Sequence, residues 1–122
     1  MPFQQEIGEL YSHRYICLVT FRKNGNRVPT PVWFAGSQGS IYVMTRRDSG
    51  KVKRIRNNPR VEVAPCDVRG KLLGPFSPAV ARLASDPSHA RALIRKKYFL
   101  ARIPFLWRRN NTYLEITPVK AP

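Results

Sequence analysis

The chain has 122 residues and carries 22 Lys and Arg against seven Asp and Glu, a formal net charge of +15. Such a length suits one domain, spanning residues 1–122, with a core of its own and at a size where oligomerisation often adds to stability. The charge excludes the balance of an ordinary enzyme and points to an anionic partner: nucleic acid, an anionic membrane surface or a polyanionic small molecule.

Phe3 to Leu10 has Phe3, Ile7 and Leu10 on one side of a short expected helix that Gly8 makes marginal. Tyr15 to Phe21 is β-branched and aromatic with little alternation, the pattern of a central strand covered on both faces. Asn24-Gly25 follows as a hairpin signal. The returning strand, Arg27 to Ala35, contains Pro29 and Pro31, which lack N–H donors, so it is expected at an edge or beside something other than a strand. Gly36 to Gly39 turns the chain into a third strand, Ser40 to Thr45.

The stretch from Tyr42 to Val61 reads as strand, polar turn, short helix and strand. Ser49 or Asp48 can cap the helix, and Pro59 ends it near Asn57 and Asn58. Val52 and Ile55 face inward. Arg46, Arg47 and Lys51 crowd the helix N-terminus, whose partial positive charge ordinarily favours anionic side chains. An external anion resolves the conflict. N–H groups at Ser49 to Lys51, the Thr45 and Ser49 hydroxyls and the Lys51 ammonium together make a phosphate cradle; the competing reading is a solvated basic helix.

Val61 to Ala64 is the next strand, interrupted at Pro65-Cys66-Asp67. Arg69-Gly70 marks a turn before Lys71 to Leu73, and Pro78 disfavours pairing, which places the following strand at Ala79 to Ala84. Asp86-Pro87 is a helix start, with Ala90, Leu93, Ile94 and Lys97 or Tyr98 on one face. Pro104 splits the apolar segment Phe99 to Trp107 into helical pieces, and Thr112 to Thr117 alternates as a half-buried strand that closes the sheet. Six or so strands joined by tight turns, with helices inserted late, give an α+β, mainly antiparallel, barrel-like design.

The usual apparatus of hydrolysis or group transfer is missing: His13 and His89 are the only histidines, and neither G-x-S-x-G nor a Walker-type loop occurs. His89, in the first turn of a helix, reads as a surface or packing residue. Cys17 reads as a small core residue, and Cys66, beside Asp67, as a loop thiol that is either reactive or buried and inert. Two cysteines make at most one disulfide, so reduced thiols in a cytoplasmic chain are the simpler expectation. No apolar run has the length of a membrane span, and Gln4, Gln5, Glu6 and Glu9 give the N-terminus no signal-peptide character. A basic chain with a phosphate cradle and no evident acid–base pair suits a protein whose bound cofactor performs the electron chemistry.

Tyr15 to Phe34 with its Val28-Pro29-Thr30-Pro31-Val32-Trp33-Phe34 segment, Tyr42 to Val61, Ala64-Pro65-Cys66-Asp67, Arg95-Lys96-Lys97-Tyr98 and Tyr113-Leu114-Glu115-Ile116-Thr117-Pro118 carry a resemblance over nearly the whole chain. In order and spacing they resemble the pyridoxamine-phosphate-oxidase-like split β-barrel proteins, and within that group they are most similar to the actinobacterial branch of coenzyme F420-dependent oxidoreductases. The resemblance implies an FMN-binding-like split β-barrel with a short helix after the third strand and helices before the last. It also implies a homodimer with a flavin or deazaflavin at the subunit interface. The family's phosphate motif maps onto Thr45, Ser49, Gly50 and Lys51, and its ring-contacting strand onto Thr30, Pro31, Val32 and Trp33. Flavin-phosphate oxidases usually place an Arg before the Lys; this chain has Gly50, with Arg46 or Arg47 as candidate replacements. Nothing in the chain matches a pyridoxal-phosphate substrate site.

A tail of glutamates on F420 fits a charge of +15 better than compact FMN does. The expected activity is therefore hydride transfer between F420 and a small-molecule acceptor, with FMN as the alternative cofactor and a non-catalytic F420 or flavin carrier as the alternative role. Trp33 is either a ring-packing or a core residue. The catalytic acid is unassigned, with solvent, Tyr42 or a partner-chain residue as candidates. Nucleic acid is not expected as a partner, since RNP-like aromatics, a helix-turn-helix signal and a basic tail are all lacking. Some split-barrel relatives bind haem, but His13 and His89 form no paired ligand pattern.

Overall fold

Tyr15–Phe21 forms strand β1, and its five inner residues, Ile16 to Thr20, are all buried. Ile16 and Leu18 enter one apolar cluster while Cys17 and Val19 enter another on the opposite face. Both faces are covered, as the unalternating run requires. The computed structural model describes residues 14–37, 39–97 and 111–119. The expected helix at Phe3 to Leu10, His13, Tyr98 and the apolar segment from Phe99 to Trp107 lie outside the described residues.

A tight turn carries β1 into β2, Arg27–Trp33. The Arg22 N–H donates to the Asn26 carbonyl at 2.9 Å and the Gly25 N–H to the Arg22 carbonyl at 2.8 Å. Gly25 takes φ +89°, so the loop is three residues with glycine in the left-handed position. The later elements are β3 (Ala35–Ser37), β4 (Ser40–Arg46), helix α1 (Gly50–Asn57), β5 (Arg60–Cys66), β6 (Ser77–Leu83), helix α2 (Pro87–Lys97) and β7 (Asn111–Pro118). The strands form one antiparallel sheet in the order β2-β1-β5-β6-β7-β4-β3.

That order dictates the shape. β2 and β3 stand at opposite edges, yet Phe34 alone joins them. In a flat sheet those edges would lie about 28 Å apart, and one extended residue spans about 3.5 Å. The sheet must therefore curl until its edges approach without pairing, which is a split barrel, and β2 touches β4 across the closure. Phe34, 0% exposed, sits at the junction and packs into the barrel core with Ile16, Leu18, Val43 and Leu114. The α+β split-barrel expectation holds, as does the edge position of the proline-bearing strand.

Several boundaries differ from the sequence reading. The described residues form seven strands, because Ala35–Ser37 pairs back on β4 instead of only turning, so α1 follows the fourth strand. Pro65 does not interrupt its strand: it sits opposite Ile16 in the ladder. Its carbonyl accepts the Leu73 N–H at 2.8 Å, on the side away from β1, so its missing donor leaves no gap there. Pro78 likewise lies within β6, opposite Glu62 and with its carbonyl turned toward the Val119 N–H. After the Arg69-Gly70 turn, Leu72 forms a single bridge to Cys66. β7 is not half-buried: Tyr113, Leu114, Glu115 and Ile116 are all buried, because α2 covers its outer face.

Helix α2 starts where Asp86-Pro87 places it, with the His89 N–H donating to Asp86 Oδ1 at 3.1 Å. Ala90 and Ile94 bury beside Tyr113 and Ala35, while Arg91, Arg95 and Lys96 face solvent. At its end the Lys97 ammonium lies 3.5 Å from the centre of the Phe34 ring. Desolvation lowers the Lys97 pKa to about 8, although the ring face favours the cation. Between that value and the unfolded lysine pKa near 10.5 the unfolded chain binds more protons, so this group adds stability as pH rises through the window. In urea titrations at pH 7.5 and 9.5, the wild type relative to Lys97→Met should gain stability at the higher pH; a constant difference would contradict the burial of the cation.

Candidate functional site

The core-facing residues of β4, Ile41, Val43 and Thr45, run toward α1, which packs against the barrel through Val52 and Ile55. Ser49 is the N-cap, its Oγ accepting the Val52 N–H at 3.4 Å. Thr45 Oγ1 lies 3.3 Å from Ser49 Oγ, so strand end and helix start present paired hydroxyls. No acidic residue occupies the first turn of α1. Among the described residues no acceptor takes the N–H of Gly50 or Lys51. Two free backbone donors, two hydroxyls and the half-buried Lys51 fit a phosphate. Burial, and after it the charge of Arg54, lower the Lys51 pKa. The charge of an anion placed there would offset both effects.

The cradle differs from the sequence reading in its donors. The Ser49 N–H is spent on the Arg46 carbonyl at 3.1 Å, so Gly50 and Lys51 supply the available backbone donors. Arg46 is exposed and paired with Asp48 at 3.3 Å, and Arg47 is exposed, so neither fills the place left by the missing arginine at position 50. Arg54 fills it. A Cβ built at Gly50 would sit 2.7 Å from Arg54 Nη1, which means that the guanidinium occupies the volume a side chain at 50 would claim. Its Nε donates to the Oγ1 of fully buried Thr20 at 2.6 Å, fixing the charge at the barrel rim. The i, i+4 relation of Gly50 and Arg54 was the signal available in the sequence.

Along β2, Thr30 and Val32 share the face of Leu18 and Ile16, toward the core, while Pro31 and Trp33 share the face of Cys17 and Tyr15. Pro29 and Pro31 are exposed on this edge. Trp33 packs partly buried against the cluster beneath α2 with Tyr42, Met44 and Leu93. The fold brings Thr45, Ser49, Gly50 and Lys51 together; Thr30 to Trp33 remain on a separate strand of the same barrel.

Tyr42 lies on the other face of β4 from Thr45, with His89 edge-on at 5.5 Å. Burial and then the Glu115 carboxylate push its pKa up, which makes it a poorer proton donor. Glu115 is paired with Arg82 at 3.3 Å. Among the described residues no group of three His, Cys, Asp or Glu could hold a metal ion. Both cysteines are free and buried. Burial, the neighbouring Cys17 and Asp67 raise Cys66 to about 11, which together with its 2% exposure favours the buried, inert reading of this thiol. Native protein at pH 8 should resist iodoacetamide at Cys66 and react only on unfolding; rapid native alkylation would refute this.

A curled antiparallel sheet whose two edges approach without pairing defines the chain as a split β-barrel. It belongs to the pyridoxamine 5'-phosphate oxidase family, whose model matches residues 3–118. No curated protein matches it by sequence. Solved structures share its fold at low identity. The heme storage protein HutZ of Vibrio cholerae is 14% identical, with TM-score 0.73, over 99% of this chain and 93% of that one. An FMN-binding protein of Nostoc punctiforme related to pyridoxamine 5'-phosphate oxidase is 18% identical, with TM-score 0.62, over 98% and 81%. General Stress Protein 26 of Bacillus anthracis is 23% identical, with TM-score 0.69, over 97% and 90%. Among the described residues no helix is long and apolar enough to cross a membrane.

Proposed function

We propose that this chain is an oxidoreductase that binds coenzyme F420 and acts on a small-molecule acceptor as a homodimer. The observation that carries the reading is the cradle at α1: unclaimed Gly50 and Lys51 donors, paired hydroxyls, a half-buried ammonium and no carboxylate in the first helical turn. Thr45, Ser49, Gly50 and Lys51 hold the cofactor phosphate, and Arg54 supplies the second fixed charge. The backbone of Thr30 to Trp33 lies against the ring, where an edge strand with two prolines has no ladder partner to lose. When bound, the deazaflavin supplies hydride chemistry; the protein's residues orient the ring and keep water from it. The charge of +15 supports a cofactor with a polyanionic tail over compact FMN.

FMN is the second reading, favoured by the FMN-binding structural neighbour from Nostoc punctiforme. Titration with F420 and with FMN, followed by ring fluorescence, separates the two. Reduction of an electron-poor acceptor by the protein loaded with reduced F420 then separates an enzyme from a carrier. Saturable F420 binding with turnover is expected. Failure of both cofactors to bind would end the proposal.

A further inference from the structure

Helix α1 has a further face that meets the cradle at Gly50 and Arg54 and extends beyond it. Gly50, Lys53, Arg54 and Asn57 recur at helical spacing and look toward the tip of the β1–β2 hairpin, where Arg22, Lys23 and Asn24 turn the chain. Between them lies an open cleft of about 410 Å³ that shares Gly50 and Arg54 with the cradle and adds Arg22, Lys23 and Lys53 to it. Among the described residues four cations line it, Arg22, Lys23, Lys53 and Arg54, and no carboxylate does.

Like charges gathered on two separate elements repel, and among the described residues no carboxylate is paired with Arg22, Lys23, Lys53 or Arg54. The ion pairs of the neighbouring surface, Arg27 with Glu62 and Arg46 with Asp48, spend their carboxylates elsewhere. Arg54 is held by Thr20 and has its pKa lowered, first by burial and then by the charge of Arg22, so the two guanidiniums already sense each other. Solvated surface lysines would spread apart; here a hydrogen bond to a fully buried hydroxyl pins one cation where the others converge.

We infer that this cleft is a binding site for an oligophosphate, a diphosphate or triphosphate group that bridges the hairpin tip and α1. Guanidiniums take phosphate oxygens in bidentate fashion and lysines add point charge. A triphosphate carries about as many negative charges at neutral pH as the cleft has cations. The inference goes beyond the cofactor reading: Arg54 is common to both sites, but Arg22, Lys23 and Lys53 lie outside the cradle, and the variants that test the cleft are taken from these three.

The test is calorimetric titration of the purified protein, without ring cofactor, using sodium triphosphate at low salt. Orthophosphate, tetraglutamate and two variants serve as comparisons. Triphosphate should bind saturably and at least about tenfold more tightly than orthophosphate. Arg22→Gln/Lys53→Gln should weaken it at least about tenfold while leaving melting temperature and F420 or FMN affinity unchanged. Arg69→Gln/Lys71→Gln, which removes the same charge from a distant exposed loop, should weaken it by no more than about twofold. Equal losses in the two double variants would show a diffuse charge effect and overturn the site. Tetraglutamate binding as tightly as triphosphate would overturn its assignment to phosphate.

Discussion

Phe34→Ala should destabilise the protein by about 3–5 kcal/mol, against a total of about 5–15 kcal/mol for an ordinary domain. The side chain is fully buried, and its loss leaves a cavity at the one residue that joins the two edges of the sheet. The ring also faces the Lys97 ammonium at 3.5 Å, so truncation leaves a desolvated cation without its aromatic surface. Phe34→Leu keeps most of the volume and should cost less than about 1.5 kcal/mol before the cation is considered. Urea denaturation followed by tryptophan fluorescence reads both variants. A loss below about 1 kcal/mol in Phe34→Ala would mean that barrel closure does not depend on packing at this junction.

Where local chemistry decides structure, the sequence could be read. Ser49 caps α1 and Asp86-Pro87 opens α2 because capping needs only neighbours in the chain. Tyr15 to Phe21 declared itself a central strand through an unbroken run of β-formers. The meeting of β2 and β3 at Phe34 was not legible, since it follows from the order of strands far apart in sequence. Pro65 and Pro78 misled for a related reason. A proline breaks a ladder only on the side toward which its missing N–H would point, and that side is set by tertiary pairing. Glu115, polar by type, is buried because Arg82 and the elements over β7 cover it. At the site, the hydroxyls and Lys51 were visible as a motif, whereas Arg54 required knowing that its guanidinium folds back over Gly50 and is tied to Thr20.

That arrangement makes Lys51→Ala the sharpest probe of the cradle. If Lys51 donates a charged hydrogen bond to the cofactor phosphate, its loss should weaken binding by about 1.5–3 kcal/mol, or about ten- to hundredfold. Without an anion Lys51 is held partly out of water beside Arg54, and both circumstances depress its pKa. A bound phosphate raises that pKa again, so wild-type affinity should fall as pH rises through the depressed value, and Lys51→Ala should lose this dependence. Arg54→Ala should also weaken binding. Arg46→Ala should change it by less than about threefold, because Arg46 is exposed and already paired with Asp48. Generic attraction between an anion and a basic surface would make all three losses alike; a cradle makes them unequal in this order. Titration of the three variants with F420 or FMN distinguishes the cases, and unchanged affinity in Lys51→Ala would place the phosphate elsewhere.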